Sequence, residues 1–539
     1  MSAQIAWGQT RPTVGGVHGV VASAHPLASQ AGLDILRQGG NAVDAIVATA
    51  AALNVVEPYM SGVGGVGFLL LHLSSGQSHA LNFCGAAPKK ATPDQFTYEN
   101  RERGPRSCLI PGNLGGWIEA YRRHGSLSLA QIFSPALALA REGFPLHPAN
   151  AKLMGLSLER LDEEGLRIYG GVETRIGAVL RQPELADTLE GVAADGGEDF
   201  YRGQLGRSIA EYVQSQGGLL AQEDLAGYRP EWEEPISVNY RGLEVRTCPP
   251  NSEGFQILQT LLLLEPEDLK GLGHNTAPYL HLLSEAIKLA MADRIRWGSD
   301  PREQPVPLER LLSPDYIAAR RQLIRYGHAS PSNGETWVPE GIPGAVAAGS
   351  EDGLTTHMSV VDSQGNACSI TQSLGSGFGS GVTVPGTGIV LNNFANWSEI
   401  DPRCPNPNLI APGQRPSCCM APLQVFKEGR FWFSVGTPGS WGIPQTTAQM
   451  ILNIVEFGAN PQLAIEAPRI RLQEGTRVLI EDRVDERVRE ELTSKGHNLE
   501  LIGDFSWLVG GGQSVMVDPD SGARLGGADP RRDGYALAF

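Results

Sequence analysis

The stretch LTTHMSVVDSQGNACSITQS, residues 354 to 373, decides how the rest of the chain is read. Two β-type runs flank a Gln-Gly-Asn turn, the pattern of a hairpin. Just before it lies GHASPSNGETWVPEGIPGAVAAGSEDG, residues 327 to 353. Gly, Pro, Ser and Ala dominate there and neither the helical nor the strand period is present, so this segment reads as an exposed, mobile loop. It ends abruptly at Leu354-Thr355-Thr356-His357. A loop that delivers a Thr-Thr pair to the start of a strand has a specific chemical use. If the bond before Thr355 is cut, Thr355 acquires a free α-amine on the same residue as its hydroxyl. Such an amine titrates near pH ~8, so a good fraction is neutral at pH ~7 and accepts the hydroxyl proton. No His or Asp partner is required. Left uncut, Thr355 is an ordinary strand residue.

Working outward, residues 26 to 58 show helical spacing through Leu33, Ile35 and Leu36, stopped by Gly39-Gly40. Asn41 caps a second helix, which runs through Val43, Ile46, Val47 and Ala51; its alanines on every face predict an interior position. The run from Phe68 and the Ser-Ser-Gly turn predict a second hairpin, and Gly64-Gly65-x-Gly67 ahead of it leads into a strand, which excludes a dinucleotide loop. Residues 112 to 143 return to helical periodicity, 150 to 230 read as mostly helical, SVNYRGLEVRTC as strands, and 278 to 296 as a long helix. After residue 373 come many short strands and a late helix near TTAQMILNIVEFG. The mixture predicts an α/β or α+β fold.

The chain has 539 residues, 41% of them hydrophobic, which permits a large core. A formal net charge of −16 argues against a nucleic-acid partner. The N-terminus lacks a basic region followed by an apolar one, and no apolar run reaches membrane-spanning length, so a cytoplasmic protein without a membrane partner is expected. Seven cysteines show neither metal-type spacing nor a secreted disulfide framework.

The segment from Thr355 to Asn393 resembles the small-subunit start of the γ-glutamyltransferases. The family pattern is a Thr-Thr-His, a D-x-x-G-N turn, an F-G-x-G and a G-I-x-L-N-N. It is matched by Thr355-Thr356-His357, Asp362 to Asn366, Phe378 to Gly381 and Gly388 to Asn393. GGNAVDA with VVEPYMSGVGGVGF (39 to 68), PPNSEGF (249 to 255), GGGQSVMVDP and GGADPRRDGYA are similar to further family signatures. The resemblance covers most of the chain. It implies a four-layer αββα N-terminal-nucleophile hydrolase fold whose precursor cuts itself between Leu354 and Thr355. The products are a large subunit, 1–354, and a small catalytic subunit, 355–539, which stay together as one folded unit. It implies Thr355 as nucleophile, with Thr356 and Ser373 supporting it by hydrogen bonds. Gly439 and Ser440, in Thr437-Pro438-Gly439-Ser440, stand where the family's oxyanion hole uses two backbone N–H groups, and backbone donors survive a change of side chain. The substrate is a small-molecule amide, and neither cofactor nor metal is called for.

The departures fall on substrate recognition. An Arg that pairs with the glutamyl α-carboxylate in the family is replaced by Cys84, in Asn82-Phe83-Cys84-Gly85. The Asn just beyond the Ser373 position becomes Gly375. The Gln and Asp that hold the α-amino group become Phe394 and Asn396, and the paired serines become Cys418 and Cys419. The catalytic half is kept and the glutamate-recognition half is replaced. This predicts an acylase or amidohydrolase acting on a non-glutamyl acyl group. Two alternatives stand beside it: a true glutathione hydrolase whose clamp is another arginine, Arg415 or Arg403, and an unprocessed, inactive binding homologue.

Overall fold

The computed structural model describes residues 8–330, 354–404, 406–473 and 475–539. Most of the loop expected before Thr355, residues 331–353, lies outside the described residues, as does the start of the N-terminus.

Two seven-stranded sheets form the centre. In chain order their strands are β1 (Val14–Gly16), β2 (Val20–Ser23), β3 (Val66–His72), β4 (Ser78–Phe83), β5 (Glu231–Glu233), β6 (Ile236–Tyr240) and β7 (Leu243–Thr247), followed by β8 (Leu354–Val361), β9 (Ala367–Gly375), β10 (Leu423–Lys427), β11 (Arg430–Gly436), β12 (Gln513–Val517), β13 (Arg524–Ala528) and β14 (Tyr535–Ala538). One sheet has the order β14-β2-β8-β9-β3-β4-β5, the other β1-β13-β12-β11-β10-β7-β6.

Each sheet carries helices on its outer face. Helices α1 (Pro26–Arg37) and α2 (Ala42–Val56) pack on the first sheet, where Leu69, Leu71, Met358, Val360 and Ile370 face them. Helices Phe255–Leu264, Ala277–Trp297 and Ile443–Val455 cover the second, against Val245, Leu423, Val425, Phe433 and Val435. Between the sheets lie Val20, Ala22, Val361, Phe426, Phe431 and Val515. The result is the four-layer αββα arrangement. Strand alternation produces it directly: Met358 and Val360 point to the helices while Val361 points to the facing sheet.

Helix α2 fixes the first sheet's geometry. All of its residues are buried, as the alanines on every face predict. Asn41 caps it in a capping box, accepting from the N–H groups of Val43 (2.8 Å) and Asp44 (3.1 Å), while Asp44 accepts from Asn41 N–H (3.0 Å). Asp362, at the turn after β8, accepts from Ala42 N–H at 3.0 Å, placing a carboxylate on the helix N-terminus. Glu57, the C-terminal cap of α2, accepts from the Thr356 hydroxyl at 2.8 Å near the other end of β8. The helix rises about 21 Å over these residues, and β8 from Thr356 to Asp362 spans about 20 Å. The two elements match in length and are tied at both ends. No helix among the described residues is long and apolar enough to cross a membrane.

Candidate active site

The β8–β9 hairpin carries a polar ladder on the face turned to the second sheet. Register pairs Thr355 with Ser373, His357 with Thr371 and Ser359 with Ser369. All three pairs are bonded: Thr355 Oγ1 donates to Ser373 Oγ at 3.1 Å, His357 Nδ1 lies 2.8 Å from Thr371 Oγ1, and Ser359 Oγ donates to Ser369 Oγ at 3.2 Å. The sequence periods T-x-H-x-S and S-x-T-x-S are the two rails of this ladder. His357 is fully buried, and burial holds its ring at about 3, far below the ordinary histidine range. It is bonded on both sides, to Thr371 and to Ser359 (3.0 Å), so it stays neutral and packed in place.

At the end of the ladder the strand is irregular, with a register shift between Leu354 and Thr355. Ser373 Oγ donates to the Leu354 carbonyl at 2.7 Å and accepts from Thr355 Oγ1 and from Gly375 N–H at 2.8 Å. A serine hydroxyl has one proton and two lone pairs, and all three are in use. The Thr355 proton therefore points at Ser373, which leaves the remaining lone pairs of Thr355 Oγ1 free of that bond. The carbonyl on the other side of the Leu354–Thr355 peptide is polarised by the same Ser373.

Behind Thr355 lies a buried charged layer that the residues alone did not announce. Thr356 Oγ1 donates to Glu57, and Arg532 Nη1 reaches the Thr355 carbonyl at 3.3 Å. Burial raises the Glu57 carboxyl to about 7, opposed by the Thr356 hydrogen bond and the charge of Arg532. Burial likewise lowers Arg532. Glu57 and Arg532 sit inside the VVEP and PRRDGYA segments quoted above; Glu57 stood out as a charge among Val55, Val56 and Pro58, whereas Arg532 lies in a charged run and nothing local singled it out.

The second sheet delivers the remaining groups. Strand β11 ends at Gly436, where an added Cβ would collide with the His357 ring, so this strand faces β8 directly. It runs into Thr437-Pro438-Gly439-Ser440. Gly439 has φ +134° and Ser440 φ +54°, so two successive residues of the turn have left-handed φ. Thr437 Oγ1 accepts from Gly511 N–H at 2.9 Å and fixes the turn to the C-terminal segment.

The residues in the glutamyl-recognition positions are packed, not open. Cys84, Phe394, Cys418 and Cys419 belong to one apolar cluster, each at most 1% exposed, together with Trp397, Met420 and Ile443. Cys418 lies within hydrogen-bonding reach of Cys84 and is pushed well above the ordinary thiol range, first by burial and then by that neighbour. Cys419 is likewise pushed well up, chiefly by burial and then by the charge of Glu253, with Arg294 opposing. Among the described residues no group of three His, Cys, Asp or Glu side chains could hold a metal ion. Gly375 has φ +104°, and an added Cβ would overlap Asn393 Oδ1 and approach the Phe394 ring. Asn396 is buried, its N–H bonded to the Asn393 carbonyl at 3.0 Å. Of the alternative clamps, Arg403 is 89% exposed and paired with Asp401 at 2.8 Å. Arg415 is buried and held by Glu231 at 2.7 Å, with Glu233 at 3.9 Å.

From Gly375 an aromatic wall leads to the Thr437–Ser440 turn. Phe394 stacks on Trp397 (centroids 5.9 Å apart), and Trp397 meets Trp441 edge-on at 4.7 Å. Trp441 follows Ser440 in the chain.

The model of the gamma-glutamyltranspeptidase family matches residues 28–539. The chain is 36% identical to the acylase ACY 1 proenzyme of Pseudomonas sp. (strain SE83), over 97% of this chain and 94% of that protein. It is 34% identical to the glutathione hydrolase proenzyme of Bacillus subtilis (strain 168), over 97% and 92%. The crystal structure of cephalosporin acylase from Bacillus halodurans superposes with a TM-score of 0.88 at 35% identity, covering 99% of this chain and 98% of that one. With the family model spanning nearly its whole length, this chain belongs to the gamma-glutamyltranspeptidase family.

Proposed function

We propose that the chain is a self-processing N-terminal-threonine amide hydrolase of the acylase type. The observation that carries this reading is the Ser373 hydroxyl bridging Thr355 Oγ1 and the Leu354 carbonyl on an irregular strand. In the first step Thr355 Oγ1 attacks the Leu354 carbonyl carbon. The C–N bond breaks, the nitrogen takes the proton, and an ester links residues 354 and 355. Water hydrolyses that ester and leaves the fragments 1–354 and 355–539. The freed Thr355 amine then serves as base while the same hydroxyl attacks a substrate amide, and water releases the acyl group. Thr356 is held by Glu57, and Gly439 and Ser440 offer backbone N–H groups to the oxyanion.

The acyl specificity follows from what lines the site. Cys84, Phe394 and Cys418 fill the place of a carboxylate clamp with apolar atoms, and burying an unpaired ammonium and carboxylate there is costly. The acylase relatives named above support a non-glutamyl acyl group. A true glutathione hydrolase is the second reading, favoured by the Bacillus subtilis relative; Arg403 and Arg415, its candidate clamps, are already paired with carboxylates. A cytoplasmic location belongs to the proposal, since seven free cysteines suit a reducing compartment.

Two measurements test it. Purified protein separates into two polypeptides on a denaturing gel, the smaller beginning at Thr355, while Thr355→Ala stays a single inactive chain. An intact, active wild-type chain overturns the mechanism. In a set of anilides, kcat/KM is lower for the γ-glutamyl member than for the same acyl group without its α-amino group; the opposite order favours the glutathione hydrolase reading.

A further inference from the structure

Arg532 stands in the turn between β13 and β14, with its side chain buried. Gly511 gives the side chain room, since an added Cβ there would stand 2.7 Å from Arg532 Cδ. Past that point the guanidinium reaches the start of β8. Nη1 donates to the Thr355 carbonyl at 3.3 Å and lies 3.5 Å from Met60 Sδ. Nε and Nη2 have no acceptor among the described residues. Burying a cation with donors left unpaired costs stability, so packing does not account for this charge.

What Thr355 becomes after the cut does account for it. The bond to Arg532 is made on the C-terminal side of Thr355, so cleavage at Leu354–Thr355 leaves it in place. Covalent geometry keeps the α-nitrogen and carbonyl oxygen of one residue within about 3.6 Å, which puts the new amine within about 7 Å of Nη1. A buried cation at that range is weakly screened and disfavours a second positive charge. An N-terminal amine ordinarily titrates near pH ~8, and it must be neutral to take the hydroxyl proton.

The groups that face Arg532 and Thr355 leave this field standing. Burial holds the Glu57 carboxyl at about 7, so below neutrality it carries little charge to oppose the guanidinium. Tyr59 is pushed well up by burial and stays neutral. Asp529 is taken by Arg469 and by Arg531 (3.1 Å). Asp533 accepts from the N–H groups of Ala149 (2.8 Å) and Asn150 (3.0 Å). Arg471, from the strand Ile470–Leu472, adds a like charge. On β8 itself His357 is neutral, and Ser373 opposite Thr355 is uncharged.

We propose that Arg532 is a positioning residue for the nucleophile, holding the Thr355 carbonyl and, through its charge, keeping the freed α-amine neutral where an ordinary N-terminus is protonated. The proposal rests on the self-processing acylase reading and deepens it.

The amine is titrated directly. Reductive methylation with formaldehyde and cyanoborohydride is followed against pH, and the peptide beginning at Thr355 is read by mass spectrometry. The wild-type midpoint is expected about one pH unit or more below the ordinary value. Arg532→Gln, which keeps a donor and loses the charge, raises it by about one pH unit. Arg532→Met does the same and serves where the glutamine variant does not fold. Arg532→Lys keeps the charge and the wild-type midpoint. The acid limb of kcat/KM for pentanoyl anilide follows: Arg532→Gln loses about tenfold against the wild type at pH ~6 and converges with it at pH ~9. A wild-type amine that titrates near pH ~8 overturns the proposal with no variant needed. So does a midpoint indifferent to Arg532→Gln and Arg532→Met, or one that Arg532→Lys raises as far as they do. Any of these results in a protein that hydrolyses anilides leaves the acylase reading standing. A midpoint that depends on the Arg532 charge, in a processed protein that hydrolyses no amide, keeps the role of Arg532 and sinks the acylase reading. A wild-type chain that stays uncut has no such amine and removes both.

Discussion

Gly375 looks, in sequence, like the loss of a side chain that contacts substrate. Its backbone says something different. With φ at +104° and Asn393 Oδ1 where a Cβ would stand, the position excludes side chains in this arrangement. Asn393 Oδ1 also accepts from Ser376 N–H at 2.9 Å, so the polar loop has closed over the place of the missing residue. Gly375→Asn is therefore expected to destabilise the protein by about 1–3 kcal/mol through strain and overlap, read as a lower denaturant midpoint with unchanged slope. Wild-type stability in that variant would show that the loop opens freely. Cys84 makes the same point differently. Its thiol meets Cys418 in a packed cluster, so the position is filled core, not an empty clamp.

Among the elements, helix α2 and strand β8 act as a pair. They are joined at one end through Asp362 and Ala42 and at the other through Glu57 and Thr356. The second tie is titratable. Burial raises Glu57 from 4.5 to about 7 in the folded state. The folded protein thus keeps a proton that the unfolded chain releases between these values. The stability this proton supplies is fully present below about 4.5 and is lost as pH climbs through about 7. Glu57→Gln removes the dependence and keeps an acceptor for Thr356. Between pH ~5 and pH ~8 the variant should gain on the wild type by about 1–3 kcal/mol, measured by denaturant unfolding at each pH. Parallel pH curves for the two proteins would place the Glu57 proton elsewhere.

At the scale of the molecule, the first sheet interleaves the two proposed fragments. Strands β8 and β9, from the small fragment, sit between β2 and β3 of the large one, and β14 at the edge pairs with β2. The second sheet mixes them too, with β10 against β7 and β1 against β13. Cutting at Leu354–Thr355 would remove one peptide bond at the end of β8 and leave the ladders from Thr355 onward joined. The fragments should elute together in size exclusion at the position of the uncut Thr355→Ala chain, and part only in denaturant. A small fragment that elutes alone under native conditions would contradict this account.

Much of this was legible in the chain. Helical spacing, the Asn41 cap and the Gly39-Gly40 stop predicted α1 and α2, and strand periods predicted both hairpins, because these signals depend on neighbours a few residues apart. The all-alanine character of α2 foretold its burial. The Thr355–Ser373 pair followed from the motif and is realised by register. Partners distant in sequence were not legible. Glu57 beneath Thr356 is 299 residues away in sequence and Arg532 on the Thr355 carbonyl 177, and no local period announces either. The sequence by itself determined the elements and the family, since each rests on local patterns. Only the tertiary structure decided which buried charges meet and that Gly375 is a backbone requirement, because these depend on long-range packing that brings distant residues within hydrogen-bonding distance.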